Sequence, residues 1–102
     1  MGEAMPESVE AAENKTASLF RAAAEVGALR AGAADAQVEA ARRYGRMLGL
    51  AYQLRDDQLD GENIADPAPY AESAERALDG LPLGEPRELL RALARYAAER
   101  TC

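Results

Sequence analysis

The residues best equipped for chemistry lie in the run from Tyr44 to Asp60. A helix turns about 100° per residue, so Gln53, Asp56, Asp57 and Asp60 (i, i+3, i+4, i+7) share one face of it. Tyr44, Leu48, Ala51, Arg55 and Leu59 fall mostly on the other side, with Tyr52 at the seam. Carboxylates at i,i+4 repel each other, and at the C-terminal end of a helix the macrodipole disfavours them as well. A chain that accepts both penalties is built to hold something positive there. Hard divalent cations take oxygen ligands, and Mg²⁺ is commonly held by one or two carboxylates plus substrate phosphates. Asp56, Asp57 and Asp60 are therefore candidate ligands for a divalent cation such as Mg²⁺, although three acids near a helix end also occur often by chance. An EF-hand is excluded: counting from Asp56, the third ligand position is Gln58 and the twelfth, which requires a bidentate Glu, is Pro67.

A second candidate pair is Lys15-Thr16, one cation and one hydroxyl on an earlier helix. Lys15 is the single lysine of the chain; every other cation is an arginine. An ammonium group is a good point-charge partner for a phosphate, although a solvated surface lysine has the same local sequence. Other chemistries drop out. There is no His, which removes Ser-His and Cys-His nucleophilic systems and His-containing zinc sites. The one cysteine, Cys102, can form neither an intrachain disulfide nor a thiolate metal site, and its position is not a prenylation box.

The elements that must position these residues are helices. Alanine dominates the 102 residues, Trp is absent and β-branched residues are scarce, a profile that favours helix over strand. The length suits one domain spanning 1–102. A first helix is expected from about Glu7 to Leu29, with Val9, Ala12, Thr16, Leu19, Phe20, Ala23, Val26 and Ala28 as its apolar stripe and Arg30–Ala34 as the connection. Asp35 is the expected N-cap of a second helix reaching Asp60, which Gly61 ends. That helix carries Gly45 and Gly49, each costing about 1 kcal/mol relative to Ala. Both fit tight helix packing; the alternative is that Gly49 leaves room for a ligand beside the carboxylates. Asp66-Pro67 restarts the chain as N-cap and N1, Pro69 being the alternative start. The third helix runs to about Asp79 with Gly80 at C′. Pro86 opens a fourth, whose stripe is Leu89, Leu90, Leu93, Tyr96 and Ala97. Tyr44, Tyr52 and Tyr96 are expected in the core or at its seam, and Arg42, Arg43 and Arg46 beside the carboxylates, offsetting their charge.

The net charge of −6 argues against nucleic acid as a partner, because phosphate backbones require a basic patch. No apolar run is long enough to span a membrane. Without a signal-peptide core at the N-terminus, a cytoplasmic protein is expected. Stripes this rich in alanine bury little area per residue, so self-association or a heteromer is expected to cover Leu19, Phe20, Val26 and Leu48.

Taken together, Lys15-Thr16-Ala17-Ser18-Leu19-Phe20, Val26-Gly27-Ala28, Tyr44-Gly45, Leu48-Gly49-Leu50-Ala51-Tyr52-Gln53 and Asp56-Asp57-Gln58-Leu59-Asp60 come in the order and spacing of the trans-isoprenyl diphosphate synthases. The resemblance is good over about residues 9–61 and looser from 70 to 100, through Leu81-Pro82 and Leu89-Leu90 to Tyr96 and Arg100. It implies an all-α bundle around a deep cavity, of which about four helices are present here. In that family two Asp-rich motifs face each other and hold Mg²⁺ ions on the diphosphate of an allylic substrate. Metal and basic residues stabilise the departing diphosphate, and isopentenyl diphosphate attacks the allylic cation, lengthening the prenyl chain by one unit. By resemblance Asp56 is a direct Mg²⁺ ligand and Asp57 and Asp60 act directly or through water. Lys15 contacts the allylic diphosphate, and Thr16 and Gln53 line the same site.

The departures are equally specific. The chain is roughly a third of the family's length. The first Asp-rich motif, the basic residues for isopentenyl diphosphate and the residues that set product length have no counterpart in it. Nor does a second lysine follow the Asp-rich motif. The expectation is therefore a partial prenyltransferase wall, completed by a second chain supplying the N-terminal half and inactive in isolation. A non-catalytic regulatory or binding subunit of a full-length synthase is the alternative.

Overall fold

In the computed structural model the described residues are 17–61, 65–82, 84 and 86–101. They form four α-helices: α1 (Ser18–Arg30), α2 (Asp35–Leu59), α3 (Ala68–Ala77), which continues into a 3₁₀ turn (Leu78–Gly80), and α4 (Pro86–Glu99). The all-α expectation holds. Lys15, Thr16, Val9 and Ala12 lie outside the described residues, as does the expected first turn from Glu7.

Helix α2 is the axis of the bundle and packs against α1, α3 and α4. Its stretch from Met47 to Ala51 is buried at every position, as expected for a helix surrounded by neighbours. Leu50, Leu54 and, from the 3₁₀ turn, Leu78 are the largest fully enclosed side chains. The neighbours meet α2 mainly through alanine: Ala71, Ala74 and Ala77 on α3, and Ala94, Ala97 and Ala98 on α4. This corrects the stripe expected for α4. Leu90 packs against the core, but Leu89, Leu93 and Tyr96 are exposed. Alanine faces let the axes approach closely, and the long side chains of α4 are turned outward by the same rotation. On α1, no residue between Ser18 and Arg30 is fully buried; Leu19, Val26 and Leu29 are exposed and Phe20 is half-buried.

The two helical glycines are explained by packing. A Cβ on Gly49 would sit 2.7 Å from the Cα of Ala17, and one on Gly45 would collide with the backbone carbonyl of Phe20. The backbone of α1 therefore rests on α2 where α2 has no side chains. The room beside Gly49 is thus taken by α1.

The helix ends follow local chemistry. Gly32 (φ +75°) ends α1: its N–H donates to the Leu29 carbonyl and that of Ala33 to the Ala28 carbonyl, each at 3.1 Å, the paired bonds of a Schellman motif. Gly61 (φ +76°) ends α2 as expected. Asp35 is not the N-cap of α2: Ala34 is, and the Gln37 side chain accepts from the Ala34 N–H at 2.9 Å. Asp35 instead opens the first turn, where the dipole favours it. Helix α3 begins at Ala68, between the two expected starts, and Asp66 still accepts from the Ala68 N–H at 3.0 Å. Gly80 does not adopt the left-handed conformation of a C′ residue; it is needed because a Cβ there would lie 2.9 Å from that of Ala40 on α2. Arg87 then fastens α4 to this turn, donating to the carbonyls of Leu78 (2.8 Å) and Leu81 (2.9 Å).

Tyr44 belongs to the core as expected, and its hydroxyl donates to the Leu90 carbonyl at 2.9 Å. Burial pushes its pKa from 10.0 up to about 12. The folded state thus keeps a proton that the unfolded chain loses first, so stability is full below pH 10 and declines as pH rises from 10 to 12. Chemical denaturation across this range should show a loss of about 2 kcal/mol that Tyr44→Phe abolishes, that variant itself costing about 1 kcal/mol at neutral pH.

A second prediction tests the helix contact. Gly45→Ala and Gly49→Ala should each destabilise the fold by about 1–3 kcal/mol in urea denaturation. Gly27→Ala, which meets no atom within 4 Å, should stabilise it by about 0.4–1 kcal/mol. Stabilisation by Gly49→Ala would contradict the observed approach of α1.

Candidate diphosphate and metal site

The carboxylates occupy the last turn of α2 and its C-cap, and that turn contains no basic residue to offset the helix dipole. Their charge is managed in two other ways. Gln53 donates from Nε2 to Asp57 Oδ1 at 3.0 Å, one turn along the helix. Asp56 Oδ1 meets Nη2 of Arg100, beyond the end of α4, at 3.3 Å. Asp60, the C-cap residue, is exposed. The four residues share a side of α2 as the spacing requires, but the Asp56 and Asp57 carboxylates have different partners. Among the described residues no group of three His, Cys, Asp or Glu side chains converges as a metal cage.

Arg100 was noted in the sequence only as the end of a loose resemblance; its place at Asp56 was not. Among the described residues it is the one buried charged residue, 7% exposed. Its guanidinium carbon lies 3.9 Å from the centre of the Tyr52 ring, close enough for a cation–π contact. Nη2 also donates to the Tyr52 carbonyl at 3.0 Å. Arg55 locks the Arg100 backbone, donating from Nε to its carbonyl at 2.8 Å, and reaches Gln58 Oε1 at 3.0 Å. Phe20 of α1 lies against the other member of this stack, its ring centre 6.0 Å from that of Tyr52. No local pattern could have found Arg100, which stands 44 residues from Asp56; the signal is its burial.

The arginines expected beside the carboxylates are elsewhere. Arg42 pairs with Glu25 (3.3 Å) and Glu39 (2.8 Å). Arg42 and Glu39, with Arg21, Arg43, Arg46 and Met47, border a separate cavity of about 360 Å³. Arg42, Arg43 and Arg46 lie earlier on α2, ten or more residues before Asp56. Tyr52 is at the seam as expected, whereas Tyr96 is exposed.

Lys15 and Thr16 lie outside the described residues, and Ala17 follows them directly. Ala17 is fully buried, with its backbone against Gly49, one turn before Gln53. On the same side of the molecule Leu19, Phe20, Ala23, Ala24, Tyr44, Gly45 and Leu48 line a cavity of about 330 Å³ that is almost wholly apolar. Phe20 thus borders this cavity while its ring neighbours Tyr52, the residue before Gln53.

The donor set suits a hard cation. It offers carboxylate oxygens and one amide, and no nitrogen or sulfur ligand that would prefer a softer metal. Arg100 engages Oδ1 of Asp56, which is half-exposed, and Mg²⁺ bound with a diphosphate needs only one or two carboxylates from protein. The residues therefore fit such an ion in kind.

A family model described as Polyprenyl synthetase matches residues 4–67, which include Lys15, Thr16, Gln53 and all three aspartates. A geranylgeranyl diphosphate synthase of Methanosarcina mazei is 48% identical over 54 residues, 53% of this chain and 17% of that protein. A (2E,6E)-farnesyl diphosphate synthase of Mycobacterium bovis is 55% identical over 56 residues, 55% of this chain and 16% of its own length. An octaprenyl diphosphate synthase of Haemophilus influenzae is 44% identical over 61 residues, 52% of this chain and 18% of its own. These matches thus cover less than a fifth of each relative. No solved structure matches the chain. Among the described residues no helix is long and apolar enough to cross a membrane. With the spacing of its carboxylates, its all-helical fold and a family match over more than half its length, this chain belongs to the polyprenyl synthetase family.

Proposed function

We propose that the Gln53–Asp60 end of α2 is one wall of a prenyl diphosphate site serving isoprenoid biosynthesis. The supporting observation is the row of Gln53, Asp56, Asp57 and Asp60 at the C-terminus of α2, in a last turn that holds no basic residue; an almost wholly apolar cavity lies farther back along the helix, between α1 and α2. A prenyl diphosphate has the complementary division, a charged head and a hydrocarbon tail. In this reading Asp56 is a direct Mg²⁺ ligand, and Asp57 and Asp60 bind directly or through water. Gln53 orients Asp57 and lines the diphosphate site, and Lys15 and Thr16 contact the diphosphate oxygens. Bound Mg²⁺ supplies charge neutralisation for a leaving diphosphate. The chain's own part is to bind and orient that group and, along the Leu19–Leu48 cavity, to keep water from the tail.

In this reading the facing wall, with the first Asp-rich motif, is supplied by a partner chain, and assembly as a homo-oligomer or heteromer in the cytoplasm belongs to the same reading. A second reading, a regulatory or binding subunit without turnover, is favoured by the absence of any lysine after Lys15.

Both readings require ligand binding, and turnover separates them. Mg²⁺ with geranyl diphosphate should raise the melting temperature of the chain, by linkage to the folded state; a ligand at 100 times its Kd contributes about 2.7 kcal/mol. Asp56→Ala should remove the shift. The chain alone should give no prenyl transfer to isopentenyl diphosphate. Activity restored by a chain carrying the missing motif supports the first reading, and binding without restored activity the second. No Mg²⁺-dependent shift in the wild type would overturn both, and robust elongation by the purified chain alone would refute the divided site.

A further inference from the structure

Arg100 is buried, 7% exposed. Burial of a guanidinium is costly unless it is paired and hydrogen-bonded. Here the pairing is with the Asp56 carboxylate (3.3 Å), the Tyr52 carbonyl (3.0 Å) and the Tyr52 ring (3.9 Å). Arg55 fixes the backbone from which the side chain departs. Its partner is differently placed. The Asp56 side chain is 49% exposed and the Arg100 side chain 5%, so the pair has a fixed cationic member inside and an accessible carboxylate outside.

We propose that Arg100 is the resident counter-cation of Asp56: it holds one carboxylate oxygen in place and opposes the binding of a divalent cation at the other. The inference rests on the reading of Asp56 as a metal ligand given above. The physical reason is the surplus of negative charge in the last turn of α2, where Asp56, Asp57 and Asp60 face the negative end of the dipole with no basic residue in that turn. Arg100 supplies from a distant part of the chain the positive charge that the helix lacks. It selects one orientation of Asp56 before any ligand arrives. It also weakens the attraction for a cation, because the same carboxylate is already partly neutralised. Arg100 is thus a positioning residue, and its loss should have two effects of opposite sign.

The test uses the full chain and Mg²⁺ with inorganic diphosphate as the probe, followed by titration calorimetry and by thermal unfolding. Without metal, Arg100→Gln should melt at a lower temperature than wild type. Its Mg²⁺ affinity in low salt should nevertheless be about tenfold higher, the scale expected when a unit charge several ångströms from a divalent ion is removed at a solvent-exposed site. Added salt should shrink that gain, and Arg100→Lys, which keeps the charge, should stay near the wild-type affinity. In the double variant with Asp56→Asn the gain should vanish.

A folded Arg100→Gln protein that binds Mg²⁺ no better than wild type would overturn the proposal and leave Arg100 a merely structural residue. If wild type shows no Mg²⁺-dependent binding at all, the reading of Asp56 as a ligand fails, and this inference with it. Should Arg100→Gln not fold, the wild-type protein decides by NMR: the Arg100 Nε–H and Tyr52 ring signals should move during the Mg²⁺–diphosphate titration, and stationary signals in a protein that binds the ion would refute the coupling.

Discussion

The backbone of α1 lies directly on α2, because at Gly45 and Gly49 there is no side chain to keep it away. The rest of the bundle depends on this approach. A glycine pair inside a helix sacrifices helix propensity, and the return is that α1 crosses with its own backbone at the surface of α2. Phe20 then reaches Tyr52, Ala17 is sealed against Gly49, and the chain immediately after Lys15-Thr16 is set one turn from Gln53. The same economy appears on the other flanks. The alanine faces of α3 and α4, and Gly80 against Ala40, bring the remaining helices close without large side chains. Within the core the largest fully enclosed side chains are Leu50, Leu54 and Leu78.

Close packing of this kind leaves the long apolar side chains with nowhere to go inside. Leu19, Val26 and Leu29 on α1 and Leu89, Leu93 and Tyr96 on α4 are exposed for that reason. A stripe at helical spacing shows which residues share a face; it does not say whether that face points to the core. On α4 the alternatives were a leucine-rich face and an alanine-rich face a fraction of a turn away, and distance of approach decided between them.

Much of the architecture was legible because it rests on local rules. The helices, the connection at Arg30–Ala34, the end of α2 at Gly61 and the shared face of Gln53, Asp56, Asp57 and Asp60 follow from periodicity and from residues with particular backbone preferences. What could not be read was non-local. The pairing of Asp56 with Arg100, the bond from Tyr44 to the Leu90 carbonyl and the crowding at Gly80 each join parts of the chain that no spacing rule connects. The arginines at 42, 43 and 46 show the same limit from the other direction. They are near the aspartates in sequence, yet Arg42 is claimed by Glu25 of α1 and by Glu39.

The separation of Asp56 from Arg100 along the chain also orders events in time. The α1–α2 hairpin closes over a connection of a few residues, whereas seating Arg100 requires α3, its 3₁₀ turn and α4 to be in place first. Closure of a longer loop carries the larger entropy cost, and contacts distant in sequence are slower to form. The carboxylate end of α2 is therefore expected to gain its internal cation late in assembly and to lose it when the end of α4 opens locally. In such an opening Asp56 gives up the guanidinium that pairs with it, so added salt, which screens the exposed charge, should ease the breathing of that end of the bundle.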